Sequence, residues 1–320
     1  MRLGLGQSKP PTSRLRELLA QPGPLVVPGC YNALSARILE GAGFPALYMT
    51  GYGTSLAMLG LPDAGLATLT EMALNAKFIA AATGLPLIAD ADTGHGNALN
   101  VIRTVEEFIR AGAAGIHLED QVAPKRCGHV AGREVIPRAE AARKIAAAAD
   151  ARAKLDPDFV IIARTDARGA HDGSLDEAID RANAYLDAGA DLAFVEGPAS
   201  LAEVEAVCAR VKGPVFYNMT GISPRLTEAE MASLGIAVCI LPSFTLRATV
   251  MAVHDAAVAL REQGTAAQRA LDERLAKHPL GNLHDFAGFG RVRALEACYL
   301  PAEAMTKYEN ALGHQPQAAD

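Results

Sequence analysis

The sequence predicts an α/β chain folded as a (β/α)8 TIM-type barrel with extra C-terminal helices. Eight short apolar runs recur between residues 24 and 243, each followed by a stretch of helical spacing. The runs are rich in Leu, Ile and Val and lack strict alternation, which is how parallel strands buried on both faces read. No linker-like break divides the chain from about residue 25 to 260, a span that one α/β barrel fills.

Taken in order, the strands are PLVVPGCYN (24–32), PALYMTG (45–51), PLIADAD (86–92), AGIHLED (114–120), FVIIARTD (159–166), LAFVEG (192–197), PVFYNM (214–219) and AVCILPS (237–243). Helical spacing fills 33–42, 70–83, 100–111, 137–151, 174–188, 200–211, 227–234 and 244–262. Several of these segments stop at glycine, in EGAG, AATG, IRAGAAG and LDAGAD, as a left-handed C-terminal cap requires. SLDEA and TLTEM have the hydroxyl-x-x-Glu form of a capping box. Eight β-then-α units argue for a closed barrel. A doubly wound open sheet would need a Gly-rich phosphate turn after the first strand, and GCYNALSA is not one.

After residue 262 the pattern changes. GTAAQRALDERLAKH reads as a polar helix, and the mixed segment that follows is too long for a barrel element and too hydrophobic for a free tail. It predicts helices packed on a neighbouring subunit or capping the same barrel, and HQPQAAD predicts a disordered end. The expected division is a catalytic barrel at 1–262 and a helical extension with a tail at 263–320.

The net charge of −6, with Lys and Arg dispersed, disfavours nucleic acid as a partner. No apolar stretch approaches the roughly 20 residues of a membrane span, and MRLGLGQSKPPTS lacks the apolar region of a secretory signal. The cysteines at 30, 127, 208, 239 and 298 have neither zinc nor disulfide spacing, which predicts a reducing, cytoplasmic location.

In a barrel of this class the site forms where the strands end. The strand ends here are polar: Asn32, Thr50, Asp90, Asp92, Glu119, Asp120, Arg164, Asp166, Glu196, Asn218 and Ser243. Turn formation explains a single Asp or Asn, but Glu119, Arg164 and Glu196 are not turn formers. Asp90 and Asp92 stand at i and i+2, which puts both on one face of an extended strand. Two carboxylates near a third, Glu119, repel unless a cation or proton sits among them. Hard oxygen donors point to Mg2+ or Mn2+ rather than zinc; a solvated Asp pair is the alternative. Arg164 emerges from VIIA either to bind a carboxylate in bidentate fashion or to pair with a barrel carboxylate such as Glu196. A metal and an arginine together describe a site for a small anion with a chelating oxygen, such as a 2-keto or 2-hydroxy acid. The lone Cys127 in PKRCGHVAGR is left as metal ligand, nucleophile, proton donor or bystander.

ADADTGHG, GIHLEDQ, PKRCGH, IIARTDA and YMTGYG…GLPD together resemble the isocitrate lyase/phosphoenolpyruvate mutase superfamily over residues 25–260. The likeness is to its short-lyase branch of 2-methylisocitrate, 2,3-dimethylmalate and petal-death-type lyases. That resemblance implies a (β/α)8 barrel, Mg2+ (Mn2+ as substitute), a small carboxylate substrate, and a homotetramer that exchanges its last helices between subunits. It implies metal-site carboxylates at Asp90, Asp92 and Glu119, acting mostly through water, with Asp63 behind them. It implies a substrate-carboxylate cradle of backbone N–H groups at Thr50, Gly51 and Tyr52. Tyr48 would be a base, and Arg164, Glu196 and Asn218 substrate contacts. Cys127 would be the general acid/base on a mobile lid, with His129 beside it also catalytic and Lys125 and Gly128 binding the substrate.

The implied chemistry is retro-aldol cleavage of a 2-hydroxy acid. The hydroxyl loses a proton, C2–C3 breaks, and the carbanion left behind takes a proton from a thiol whose pKa Lys125, Arg126 and His129 lower. A loop with Gly128 and Gly132 would close over the site and exclude water. Tyr52 stands where the methylisocitrate pattern has Gly, His95 where Phe or Tyr is common, and NMTGISPRLT lacks an acidic-glycine segment. FVEGPAS resembles the petal-death and dimethylmalate forms. These departures favour a smaller, malate-type substrate over a tricarboxylate, and the Cys-Gly-His lid disfavours phosphorus chemistry. The expected function is therefore a Mg2+-dependent carbon–carbon lyase on a 2-hydroxy di- or tricarboxylate, yielding pyruvate or glyoxylate. The alternatives are an oxaloacetate hydrolase or decarboxylase on the same scaffold, and a silent barrel that binds a keto acid.

Overall fold

The computed structural model describes residues 9–318. The first eight residues of the N-terminal segment and the last two of the expected disordered tail lie outside the described residues; residues 314–318 carry no helix or strand. Eight parallel strands close into a barrel in sequence order: β1 Leu25–Cys30, β2 Leu47–Met49, β3 Leu87–Asp90, β4 Gly115–Glu119, β5 Val160–Thr165, β6 Leu192–Val195, β7 Val215–Asn218 and β8 Ile236–Leu241. β8 returns to β1, with Leu25 against Val238 and Pro28 against Leu241. Seven strands fall inside their apolar runs, and β8 begins one residue before its run, at Ile236.

The helices are α1 Pro11–Leu19, α2 Ala33–Gly41, α3 Gly51–Thr54, α4 Leu69–Ala82, α5 Ala98–Arg110, α6 Arg138–Leu155, α7 Leu175–Asp187, α8 Leu201–Arg210, α9 Glu228–Ser233, α10 Phe244–Gln263, α11 Thr265–Leu275, α12 Leu283–Ala287 and α13 Phe289–Tyr299. Local chemistry starts and stops them. Thr68 and Glu71 form a full capping box on α4. Ser174 caps α7 by accepting from Glu177 N–H, but the reciprocal half is missing. The Glu177 carboxylate is instead drawn to Arg138 and Arg181. Gly112 and Gly189, at φ of +86° and +104°, turn the chain out of α5 and α7 as the glycine stops predicted.

Two apolar layers hold the barrel. Strand residues such as Met49, Ala89, Ile116 and Ile161 face outward onto α2, α4, α5 and α6. Tyr48, Ile88, Ile162, Phe194, Phe216, Val238 and Ile240 fill the interior, and Leu15 of α1 joins them. That helix was not foreseen. The strand pleat has a period of two, so the residue two places beyond an interior side chain faces the same way. Asp90 follows Ile88, Arg164 follows Ile162, Glu196 follows Phe194, and Asn218 follows Phe216. The interior packing thereby aims these polar side chains at the C-terminal mouth.

The chain divides into two compact units, one running to Ala248 and the other from Thr249. In the second, α11 has no buried residue, and Val250, Met251, Val253, Leu260 and Leu271 are exposed. No helix among the described residues is long and apolar enough to cross a membrane.

Candidate active site

A cavity of about 280 Å³ opens at the C-terminal mouth of the barrel. Tyr48, Thr50, Tyr52, Asp63, Asp90, Cys127, Gly128, His129, Arg164, Glu196 and Asn218 line it, as do Thr220, Ser243, Leu246 and Arg247. Eleven of the sequence-derived candidates thus come together. Asp92, Glu119, Gly51 and Lys125 stand behind them.

Asp90 ends β3. Its Oδ2 accepts from Gly51 N–H at 3.1 Å and its Oδ1 from Asp92 N–H at 3.0 Å, with His117 Nε2 3.3 Å from Oδ1. Burial opposes its ionisation, but His117, Lys125 and Arg164 outweigh burial and hold the carboxyl at about 2. Two expectations change here. The Gly51 N–H is engaged by Asp90 rather than offered to a substrate carboxylate. The strand stops at Asp90, and Asp92 sits in a left-handed turn at φ +49°, so a turn rather than the pleat sets its direction.

Lys125 was expected to meet the anion. Its buried ammonium instead lies 2.5 Å from Asp63 Oδ1 and 2.7 Å from Asp92 Oδ1. Asp63 is therefore a lid partner in this structure, because a buried ammonium needs counter-charge more than a solvated one does. Among the described residues no three Asp, Glu, His or Cys side chains are grouped to hold a metal directly. The residues nevertheless fit a hydrated Mg2+. Glu119 is buried, neither of its oxygens receives a hydrogen bond, and Arg164 Nη1 stands 3.3 Å from Oε2. Burial pushes the Glu119 carboxyl well up, a cost that a nearby cation relieves. Mg2+ keeps several waters and needs only one or two carboxylates, which suits Asp90, Asp92 and Glu119.

His117 was overlooked, although His117 and Glu119 share one face of β4 by the same i, i+2 rule. It is wholly buried, and its Nε2 lies 2.7 Å from the Tyr48 hydroxyl. Burial holds its pKa down, so the ring is neutral near pH 7. Tyr48 was expected as a base. Burial, followed by the Asp90 charge, pushes its phenol well up, so it stays protonated.

The Arg164 fork is spent on Asp166, with Nε–Oδ2 at 2.9 Å and Nη2–Oδ1 at 3.0 Å. Glu196 Oε2 lies 3.4 Å from Nη2, and the Phe194 ring lies under the guanidinium at 5.2 Å. Arg164 thus faces the cavity already paired to carboxylates, rather than as an open clamp. Asn218 Nδ2 donates to Glu196 Oε2 at 3.1 Å, and His129 Nε2 is 3.4 Å from Glu196 Oε1.

The segment from Gln121 to Val135 crosses this mouth as a lid, closed at its base by a bridge between those two residues. Cys127 N–H donates to Asp63 O at 3.1 Å, and the Gln121 amide clasps the Arg126 backbone at 2.8 and 2.9 Å. Gly128 fits so closely over Arg164 and Glu196 that a Cβ there would overlap both. The thiol was expected to be acidified by its basic neighbours. Burial instead pushes the Cys127 thiol up and Asp63 adds to this, against the His129 backbone, Arg164 and Lys125. Lys125 is spent on two carboxylates and the Arg126 side chain is exposed. Cys127 is therefore a protonated thiol near neutral pH, able to give a proton rather than take one.

Arg247 was also missed. It reaches the cavity from the first turn of α10, four residues past Ser243, and makes no ion pair among the described residues. Only the fold brings that helix to the mouth.

Comparison with known proteins places these features in a wider group. A family model described as phosphoenolpyruvate phosphomutase matches residues 15–261. The 2,3-dimethylmalate lyase of Eubacterium barkeri is 42% identical over 289 residues, covering 90% of this chain and 97% of that protein. A solved oxaloacetate acetylhydrolase in complex with the inhibitor 3,3-difluorooxalacetate has a TM-score of 0.82 at 38% identity, covering 90% of this chain and 97% of that one. A phosphonopyruvate hydrolase in complex with oxalate and Mg2+ has a TM-score of 0.80 at 33% identity, covering 91% and 99%.

Proposed function

Because the chain belongs to the phosphoenolpyruvate mutase/isocitrate lyase superfamily, an enzyme family, we propose that it is a carbon–carbon lyase acting on a malate-sized 2-hydroxy dicarboxylate substituted at C3. The products are a 2-keto acid, pyruvate or glyoxylate, and a carboxylate. The observation that carries this reading is the Cys127 thiol, protonated and held by the lid in the same cavity as Tyr48, Asp90 and Arg164. A proton donor set over a carboxylate-lined pocket is what a carbanion product needs.

Mg2+, held through water by Asp90, Asp92 and Glu119, would stabilise negative charge on the C2 oxygen. The protein's own groups do the rest. The C2 hydroxyl gives its proton to the Tyr48 oxygen as the phenol passes its own to neutral His117 Nε2, 2.7 Å away. The C2–C3 bond breaks, its electron pair moving to C3 and the adjoining carboxylate. The Cys127 Sγ–H then protonates C3. His117, buried behind Tyr48, returns its proton by way of the Tyr48 hydroxyl and the cavity to the Cys127 thiolate, so the enzyme ends as it began. Arg164, Asn218 and Glu196 orient the C1 end, and Arg247 takes the far carboxylate.

The oxaloacetate acetylhydrolase similarity favours hydrolysis of oxaloacetate as a second reading. An assay panel of oxaloacetate, 2,3-dimethylmalate, 2-methylisocitrate and isocitrate with Mg2+, read as 2-keto acid or oxalate formed, separates the two. Turnover of a C3-substituted malate is the expected result, and turnover of oxaloacetate alone would sink the lyase reading. The exposed apolar residues of α10 and α11 support the tetramer with exchanged C-terminal helices. Sedimentation at micromolar concentration tests that assembly, and a monomer would refute it.

A further inference from the structure

We propose that Arg133, at the trailing arm of the lid, is a latch that holds the lid closed and sets the position of Arg164 through one shared carboxylate, Asp166. Arg133 lies two residues before the bridge at the lid base, and its side chain is buried. Its Nη1 donates to Asp166 Oδ1 at 3.1 Å. That same oxygen accepts from Arg164 Nη2 at 3.0 Å, while Oδ2 accepts from Arg164 Nε at 2.9 Å. Two guanidinium groups therefore share one wholly buried carboxylate, and one of them rides on the lid.

The loop after β5 grips Arg133 a second time. His171 N–H donates to the Arg133 carbonyl at 3.1 Å, and a Cβ at Gly169 would fall on the Arg133 guanidinium. Room for the arginine depends on glycine at that place. At the other end of the lid, Gly128 seats directly on Arg164 and Glu196. Arg164 is thus held from both sides by the closed lid, at its tip through Gly128 and at its arm through Asp166. Opening the lid withdraws Arg133 and leaves Asp166 to Arg164 alone, which shifts the guanidinium toward Asp166 and away from the cavity. Arg133 is a positioning residue, because it reaches the reacting groups only through Asp166 and Arg164. Its kinetic consequence rests on the proposed lyase function; the lid closure does not.

The test reads lid opening without substrate. Alkylation of Cys127 by iodoacetamide is followed peptide by peptide in the full-length protein, with exposed Cys298 as internal reference. Loss of one charge-assisted buried hydrogen bond predicts about a tenfold or greater rise in the Cys127 rate in Arg133→Ala. Gly169→Ala should do the same, since its methyl displaces only the end of the Arg133 side chain. Arg133→Lys, which keeps a single charged donor for Asp166 Oδ1, should return most of the protection. In turnover, Arg133→Ala should lower kcat with little change in KM, and Arg133→Lys should restore it. Cys127 alkylation within about twofold of the parent in both Arg133→Ala and Gly169→Ala overturns the latch. If Arg133→Ala does not fold, Gly169→Ala decides alone. Absence of turnover on any 2-hydroxy acid would refute the proposed function while the alkylation result still judges the latch.

Discussion

Replacing Cys127 with serine changes one atom at the centre of the proposed chemistry. The lid seating does not depend on that atom: Cys127 N–H to Asp63 O, Val130 N–H to Cys127 O and the fit of Gly128 over Arg164 are all made without the sulfur. Substrate binding should therefore survive, with KM within about threefold of the parent. Proton delivery should not. A hydroxyl is a far weaker acid than a thiol, even one raised by burial as Cys127 is. General acid catalysis contributes about 10²–10⁴-fold, so kcat should fall by about that factor, roughly 3–5 kcal/mol of transition-state stabilisation at 1.36 kcal/mol per decade. The assay is steady-state formation of the 2-keto acid from whichever C3-substituted malate is turned over, with Cys127→Ala in parallel. In deuterium oxide the parent should place solvent deuterium on the α-carbon of the carboxylate product, the carbon that was C3 of the substrate. A Cys127→Ser enzyme with kcat within about fivefold of the parent would refute the donor role, and C3 protonation would then have to come from another group at the mouth.

Arg247→Ala should raise KM for a dicarboxylate by about tenfold with kcat retained, the modest effect of losing a solvent-exposed cation; an unchanged KM would remove Arg247 from the pocket chemistry. Asp166→Asn should cost about 3 kcal/mol of stability in urea unfolding, because it strands the buried Arg133 guanidinium and leaves Arg164 only its longer pairs with Glu119 and Glu196. Burial raises the Asp166 pKa, but Arg164 and Arg133 outweigh it and hold the carboxyl below its usual value. Its stabilisation is therefore complete above about pH 4 and lost as pH falls through the folded pKa, so the parent–variant gap should narrow in acid and not in base. Millimolar Mg2+ should raise the melting temperature of the parent by ligand linkage, and Glu119→Gln should abolish most of that rise; equal rises in both proteins would exclude Glu119 from the metal site.

Much of the site was legible because polar side chains at strand ends are conspicuous in runs that are otherwise apolar. Asp90, Arg164, Glu196 and Asn218 each stand two places beyond an interior residue, and period two is a local property that a sequence displays. His117 was legible by the same rule and went unread. Arg247 and Arg133 were not legible. Each lies on an element whose distance from the mouth depends on how the chain folds back, and an isolated arginine carries no period to mark it.

What the sequence by itself determined is the barrel: eight buried strands, their order, the helices between them and the mouth at which their polar ends collect. These follow from hydrophobic burial and turn chemistry, which act between near neighbours in the chain. What only the tertiary structure decided is which charge answers which. Lys125 was expected at the substrate and clasps Asp63 and Asp92. Arg164 was expected as an open clamp and is held by Asp166. Cys127 was expected to be acidified and is raised by burial. Each outcome turns on distances of about 3 Å between residues far apart in sequence and on how much water the fold excludes, and electrostatic energy depends steeply on both.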